Sequence, residues 1–227
     1  MSHKNLKTKR SALSVQPRLH LSSKTTAPGH STDPHPPGEQ QPLVLLSPNA
    51  VPVLWLTGLP AAGKSTIAGL TAQRLSAEGI RAEVLDGDAV RKAISPTLGF
   101  SREERNLQAL RLAWIAEMLS RHGVIPIVAA VTPYRSDREA AASLLGSRFT
   151  EVWVHADVET CRTRDPKGLW RRCALGEISG VTGFDAPYEA PLTATMKLET
   201  ELSTASYCAN KLVDFVFERR GGALRDN

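Results

Sequence analysis

Aromatic residues make up only 5% of this 227-residue chain and cysteine occurs three times. No apolar run approaches the eighteen or so residues that a membrane-spanning helix needs. Each shortage excludes something. Few rings leave little from which to build a stacking platform for single-stranded nucleic acid, so no nucleic-acid partner is expected. Cys161, Cys173 and Cys208 are odd in number and lack C-x-x-C spacing, which argues against a disulfide framework or a cysteine zinc site. A reducing cytoplasm fits best, with no membrane partner. No internal repeat is visible.

The formal net charge is +5. Residues 1–48 account for most of it, with six Lys and Arg (Lys4, Lys7, Lys9, Arg10, Arg18, Lys24) against Asp33 and Glu39. This segment is rich in Ser, Thr, Pro and His and poor in apolar residues, so it reads as a disordered basic, Pro-rich tail. It lacks the apolar stretch of a secretory signal, while an organelle transit peptide stays open on composition. The remainder, residues 49–227, is nearly neutral and reads as one α/β domain.

Short apolar runs alternate there with amphipathic stretches, the pattern of βαβ units around a parallel sheet. Strands are expected at 51–57, 82–85, 124–131, 149–155 and 196–198. A helix is expected after each of the first four, and a last one near 203–219. Residues 165–191, rich in Gly, Pro and charge, are too long for an ordinary connection and read as a lid. Trp55, Trp114 and Trp153 fall on apolar periodicities and are expected in the core; His122 and His155 read as capping or packing residues.

The segment VLWLTGLPAAGKST carries the chemistry. Gly58, Gly63, Lys64 and Ser65 form G-x-x-x-x-G-K-[ST] directly after an apolar strand and at a helix start, the context that a phosphate-binding loop requires. Its backbone N–H groups and the helix N-terminus cradle a polyphosphate, Lys64 reaches the β/γ-phosphates, and Ser65 offers a hydroxyl to Mg²⁺. Guanine-specific proteins add N-K-x-D; Asn210, Lys211 and Asp214 are spaced N-K-x-x-D within a helical pattern and read as helix surface. The second strand ends in LDGD, which puts Asp86 and Asp88 at the carboxyl edge of the sheet. There a carboxylate either organises Mg²⁺ or accepts a hydroxyl proton, or else caps the following helix. Arg91, Arg102, Arg105 and Arg111 follow, and one or two of them are expected to touch an oxyanion.

In ordered blocks, LDGDAVR, LGFSREER, VTPYRSDRE, RDPKGLW and GEISGVTGFDAPYEAP, together with the loop, the chain from about Val51 onward resembles the adenylylsulfate kinases. These use ATP to phosphorylate the 3′-hydroxyl of adenosine 5′-phosphosulfate. The resemblance implies a phosphate-loop kinase fold, Mg²⁺ and ATP as cofactors, and a homodimer. It implies a catalytic set of Lys64, Asp86, Asp88 and Thr132, and a donor-nucleotide set of Gly58, Ala61, Ala62, Gly63, Lys64, Ser65, Thr66 and Arg164. Ser65 and Asp86 would hold the metal. The acceptor set is Asp88, Arg91, Phe100, Arg105, Gln108, Val131, Thr132, Lys167, Gly180 and Val181. The chain departs from the family pattern in several places: Leu107, Gln108, Ala109, Leu110 and Arg111 replace Glu-Asn-Ile-Arg-Arg, and Thr132 replaces the serine of Ser-Pro-Tyr. Pro60 and Ala61 stand in the loop where Ser-Gly is usual, and Val181 replaces an aromatic. Two other readings therefore stand beside the first: a related kinase with a different hydroxyl acceptor, and a non-catalytic nucleotide-binding protein.

Overall fold

A computed structural model describes residues 51–223. The tail expected at 1–48 lies outside the described residues. Five strands, β1 (Val53–Thr57), β2 (Ala82–Asp86), β3 (Ile125–Ala129), β4 (Phe149–His155) and β5 (Met196–Glu199), form one sheet in the order β2-β3-β1-β4-β5, every pair parallel. Central β1, Val-Leu-Trp-Leu-Thr, is buried throughout because helices cover both faces, which is why it reads as a continuous apolar run rather than an alternating one.

Successive β1 side chains point to opposite layers. Leu54 and Leu56 pack with Ile67 and Leu75 of α1 (Lys64–Ala77) and Leu212 of α7 (Ala205–Ala223). Val53 and Trp55 pack with Leu112, Ala113 and Ala116 of α3 (Arg102–Arg121) and with Ala141 and Leu145 of α4 (Arg135–Leu145). The small residues on α3 bring that helix close to the sheet. Ser101 caps α3, and Glu104 returns the bond to complete a capping box.

Four expectations are corrected. Two helices, not one, follow β2: α2 (Gly87–Ile94) and α3. Pro96 and Gly99 interrupt the helical pattern, and Arg91 Nη1 closes the connection by donating to the carbonyls of Leu98 (3.3 Å) and Gly99 (2.7 Å). β3 stops at Ala129 rather than 131, because Thr132 turns to φ +39° ahead of Pro133. Residues 165–191, expected to be one long loop acting as a lid, are not simply a loop, since they contain the helix α6 (Leu169–Ala174), which follows α5 (Val158–Arg164). Trp114 is 58% exposed, not core; it sits on the solvent face of α3 in line with exposed Leu107 and Met118, seven residues before it and four after. Trp55 is fully buried, and Trp153 is half-buried, with His155 edge-on at 4.8 Å. Asn210, Lys211 and Asp214 are exposed on α7 as expected. Among the described residues no helix is long and apolar enough to cross a membrane.

Candidate active site

Parallel order sends every strand's carboxyl end to one edge, and there a cavity of about 650 Å³ opens. The phosphate loop forms its floor. Gly58 lies so close under β4 that a Cβ would come within 2.2 Å of the Val154 carbonyl oxygen, and Gly63 enters α1 at φ +104°. Ala61 adopts φ +67°, a region a side chain enters at a cost of about 1 kcal/mol or more. Lys64 is 8% exposed, and its Nζ donates to the carbonyls of Gly58 (2.9 Å) and Leu59 (2.8 Å). Burial disfavours its charge and brings its pKa down to about 8, against the smaller pull of Asp88 and Asp86.

Beside it, Ser65 Oγ donates to Asp86 Oδ2 at 2.6 Å, and Asp86 Oδ1 accepts from the N–H groups of Asp88 and Ala89. Asp86 thus both caps α2 and faces the phosphate loop, so its capping role leaves it positioned beside Ser65. Desolvation opposes its ionisation, but the Ser65, Ala89 and Asp88 hydrogen bonds together outweigh it and hold the carboxyl below its usual range. Asp88 lines the cavity, and its Oδ2 accepts from Lys167 Nζ, between α5 and α6, at 2.6 Å. That bond raises the Lys167 pKa.

The far end of the cavity is a cationic cage. Phe100 is exposed, with Arg91 at 4.8 Å and Arg105 at 5.4 Å from its ring centroid. Arg105 is oriented by Phe100 O, Thr182 Oγ1 and Gly180 O. Desolvation lowers the pKa of both arginines, and for Arg91 the nearness of Arg105 adds to it. Two guanidiniums short of water and close together form a site for an anion. Arg102 instead packs on Tyr134, and Arg111 donates to Ser95 Oγ at 2.6 Å, so of the four arginines only two reach the cavity. Gln108 is 5% exposed on the cavity wall with neither amide atom hydrogen-bonded. An amide left in that state costs about 1–3 kcal/mol, which a ligand bridging it would recover.

Most expected site residues converge here: Ala61, Gly63, Lys64, Ser65, Thr66, Asp86, Asp88, Arg91, Phe100, Arg105, Gln108, Val131, Thr132, Arg164 and Lys167 all line the cavity. Gly58 and Ala62 shape the loop from beneath it. Gly180 and Val181 do not line it; Gly180 acts through its carbonyl on Arg105, and Val181 is buried in the segment after α6. Leu107 and Leu110 also lie off it. The Thr132 hydroxyl accepts from Trp55 Nε1 at 3.2 Å.

Sequence reasoning missed Thr200, Ser203 and Ala205, which line the cavity beyond Arg164. Thr200 Oγ1 donates to Ala62 O (3.0 Å) and accepts from Arg164 Nη1 (2.9 Å), tying the phosphate loop to the end of β5. Position at the carboxyl end of β5 was the available clue. Trp170 fastens α6 to the phosphate loop: it is 2% exposed, and its Nε1 donates to Pro60 O at 3.3 Å. A Cβ on Gly183 would clash with Leu59 and Trp170. At the other end of the segment 165–191, Tyr188 OH pairs with Thr57 Oγ1 (3.2 Å), and Arg135 binds Glu189 and Ala190.

A parallel sheet of this order, a phosphate loop entering α1, and acidic and basic groups gathered at one edge define a phosphate-loop phosphotransferase of the kinase type. The sequence profile of adenylylsulphate kinase matches residues 50–199. An adenylyl-sulfate kinase of Microcystis aeruginosa is 46% identical over 151 residues, 66% of this chain and 83% of its own. One from a Picosynechococcus species is 42% identical over 160 residues, 70% of this chain and 90% of its own. Among solved structures, an APS kinase of Mycobacterium tuberculosis in complex with AMPPNP and APS superposes with a TM-score of 0.71 at 34% identity, covering 74% of this chain and 98% of that one. The chain belongs to the adenylylsulphate kinase family.

Proposed function

We propose that the protein transfers the γ-phosphoryl group of ATP to the 3′-hydroxyl of adenosine 5′-phosphosulfate. The observation that carries this reading is a single cavity with a phosphate loop at one end and the Arg91–Phe100–Arg105 cage at the other. The loop, Thr66, Arg164 and Thr200 take the donor nucleotide. Phe100 offers a face for the acceptor's adenine, Arg91 and Arg105 face its phosphosulfate, and Val131 and Thr132 form the turn behind it. The donor set fits Mg²⁺: one hydroxyl (Ser65) and one carboxylate (Asp86), hard oxygens, with no cluster of three metal-binding side chains among the described residues, as suits an ion shared with phosphates. Bound there, Mg²⁺ supplies charge neutralisation to the β- and γ-oxygens. Asp86, fully engaged, organises the metal; Asp88, whose one partner is Lys167, is free to take the hydroxyl proton. Lys167 carries the lid toward Asp88 and helps exclude water. The catalytic domain is placed at 49–227, with 165–191 as its lid.

The test is direct. Full-length protein with ATP, Mg²⁺ and adenosine 5′-phosphosulfate should form ADP and the 3′-phosphorylated product in equal amounts. Absence of turnover, with turnover of AMP or another hydroxyl compound instead, would overturn the acceptor assignment.

Two consequences concern binding. ATP affinity should fall as pH rises through about 8, because free Lys64 loses its proton there whereas the polyphosphate holds the proton on. By linkage the Kd weakens up to about tenfold per pH unit above that value and is flat below it. Calorimetric titrations between pH 7 and 9.5 would show this, and a flat profile would exclude Lys64 as the titrating group. In the acceptor pocket, Gln108→Leu should raise the acceptor KM about tenfold through its unpaired amide. Leu110→Arg, off the cavity, should leave it within about twofold. Initial rates with varied adenosine 5′-phosphosulfate decide between them.

We further propose a homodimer in a reducing cytoplasm. Three free, buried cysteines suit that compartment. Leu107, Trp114 and Met118 give α3 an exposed apolar stripe suited to a second copy. A solved APS kinase of Thiobacillus denitrificans, of which this chain covers 30% at 25% identity and a TM-score of 0.55, is described as hexameric. Trp114→Asp should reduce the sedimentation-derived mass to that of a monomer; an unchanged mass would remove this face as the contact.

A further inference from the structure

Beneath the acceptor turn lies a buried polar network that none of the assigned roles uses. Thr132 is a β-branched residue at φ +39°, a conformation that persists only when its surroundings impose it. Four contacts impose it. Arg138 Nη1 donates to Thr132 O at 2.8 Å, Thr57 Oγ1 donates to Val131 O at 2.7 Å, Trp55 Nε1 donates to Thr132 Oγ1 at 3.2 Å, and Thr57 Oγ1 lies 3.4 Å from Thr132 O. Arg138 is 3% exposed and does not line the cavity. Its other two nitrogens donate elsewhere: Nε to Glu151 Oε1 of β4 at 2.6 Å, and Nη2 to Glu189 O at the lid's C-terminal end at 2.7 Å. The Glu189 N–H in turn donates to Pro133 O at 2.8 Å.

One guanidinium therefore joins three parts of the molecule: the sheet through Glu151, the acceptor turn through Thr132, and the lid footing through Glu189. Its planar fork matches three fixed acceptors in a way that a lysine ammonium does not. Glu151 neutralises the buried charge, so the arginine's remaining hydrogen bonds are available to two backbone carbonyls.

We propose that Arg138 is a positioning residue for the acceptor side of the reaction, setting the Val131–Thr132 turn and the lid footing at a fixed separation without touching either substrate. This rests on the reading that Val131 and Thr132 face the acceptor. The donor side hangs on a separate set of bonds, Lys64 to its own loop and Thr200 to Ala62 and Arg164. Loosening Arg138 should consequently discriminate between the two substrates.

Steady-state kinetics of the full chain, varying ATP and adenosine 5′-phosphosulfate separately, test this. Arg138→Gln should raise the acceptor KM by about tenfold or more, through loss of charge-assisted bonds, with the ATP KM within about twofold. Arg138→Lys should fall between, because it keeps the charge but not the fork. Thr57→Val, which deletes only the bonds to the turn and to Tyr188, should shift the acceptor KM in the same direction by less. An Arg138→Gln protein with an unchanged acceptor KM would overturn the proposal. So would equal losses for both substrates accompanied by a lowered Tm, which is what a merely structural role produces. If Arg138→Gln does not fold, Thr57→Val decides alone: an acceptor-selective rise supports the proposal and an unselective or absent one overturns it. Wild-type protein without turnover of adenosine 5′-phosphosulfate would overturn the acceptor reading itself and this proposal with it. Wild-type turnover with unshifted variants overturns the proposal only.

Discussion

Lys64→Ala is expected to lower kcat by about three orders of magnitude, since phosphoryl transfer draws its rate from positioning and electrostatic stabilisation, and the proposed reading aims this ammonium at the β- and γ-phosphates. The structure sharpens that expectation. Lys64 is buried at the start of α1, with its charge disfavoured by desolvation and two of its three N–H donors on the carbonyls of Gly58 and Leu59, which leaves one for a phosphate. In so dry a place a charge acts on a neighbouring phosphate with little screening. Alanine also releases two loop carbonyls, so part of the loss comes from a loop that no longer keeps its curl, at a stability cost of about 1–3 kcal/mol. Pre-steady-state phosphoryl transfer combined with thermal unfolding separates the two effects. A kcat within about tenfold of wild type would refute the assignment of Lys64 to the transferred phosphate.

Asp86→Asn should follow at about two to three orders of magnitude in kcat, with a higher Mg²⁺ concentration needed for half-maximal rate. The amide is nearly isosteric, and its oxygen can still accept from the N–H groups of Asp88 and Ala89, so α2 keeps its cap. What disappears is the negative charge facing Ser65. Because its hydrogen bonds hold the Asp86 carboxyl below the usual range, it is ionised throughout neutral pH; the substitution removes a full charge at every working pH. Rates measured against Mg²⁺ concentration provide the check. A variant altered only in KM for ATP would make Asp86 a binding residue.

How much of this was legible in the sequence depended on the range of the cause. The phosphate loop is local: glycines, a lysine and a serine at fixed spacing between a strand and a helix, with each residue acting through its own backbone. Phe149–His155 was foreseen to the residue as one of the short apolar runs, although its alternating burial, with Thr150, Val152 and Val154 inward, is not written in its residue types. Trp114 was misplaced because a helix periodicity marks an apolar stripe without saying which partner covers it, and α3 carries two, the inner one built of alanines and Leu112. The split of α2 from α3 lay in Pro96 and Gly99, which the strand–helix alternation passed over. Arg138, Tyr188 and Thr200 were invisible for another reason. Their partners lie 6 to 138 positions away along the chain, as with Arg138 and Thr132 or Thr200 and Ala62, and most of those partners are backbone carbonyls that no residue pattern records. The departures from the family pattern also separate only in three dimensions. Ala61, Gln108 and Thr132 face the cavity, whereas Leu107, Leu110 and Val181 do not.

The lid's two footings bear on how such a protein can diversify. One end rests on the phosphate loop through Trp170 and Pro60, and the other is fastened to Thr57 of β1, to Arg135 and Arg138 of α4 and to Pro133 through Tyr188, Glu189 and Ala190. A lid tied in this way is not an interchangeable module. A transplanted lid from a relative would arrive without matching anchors unless Thr57, Arg135, Arg138 and Leu59 travelled with it. New acceptors are accordingly easier to reach by single changes on the cavity wall, where Gln108 stands unpaired, than by exchange of the segment that covers it.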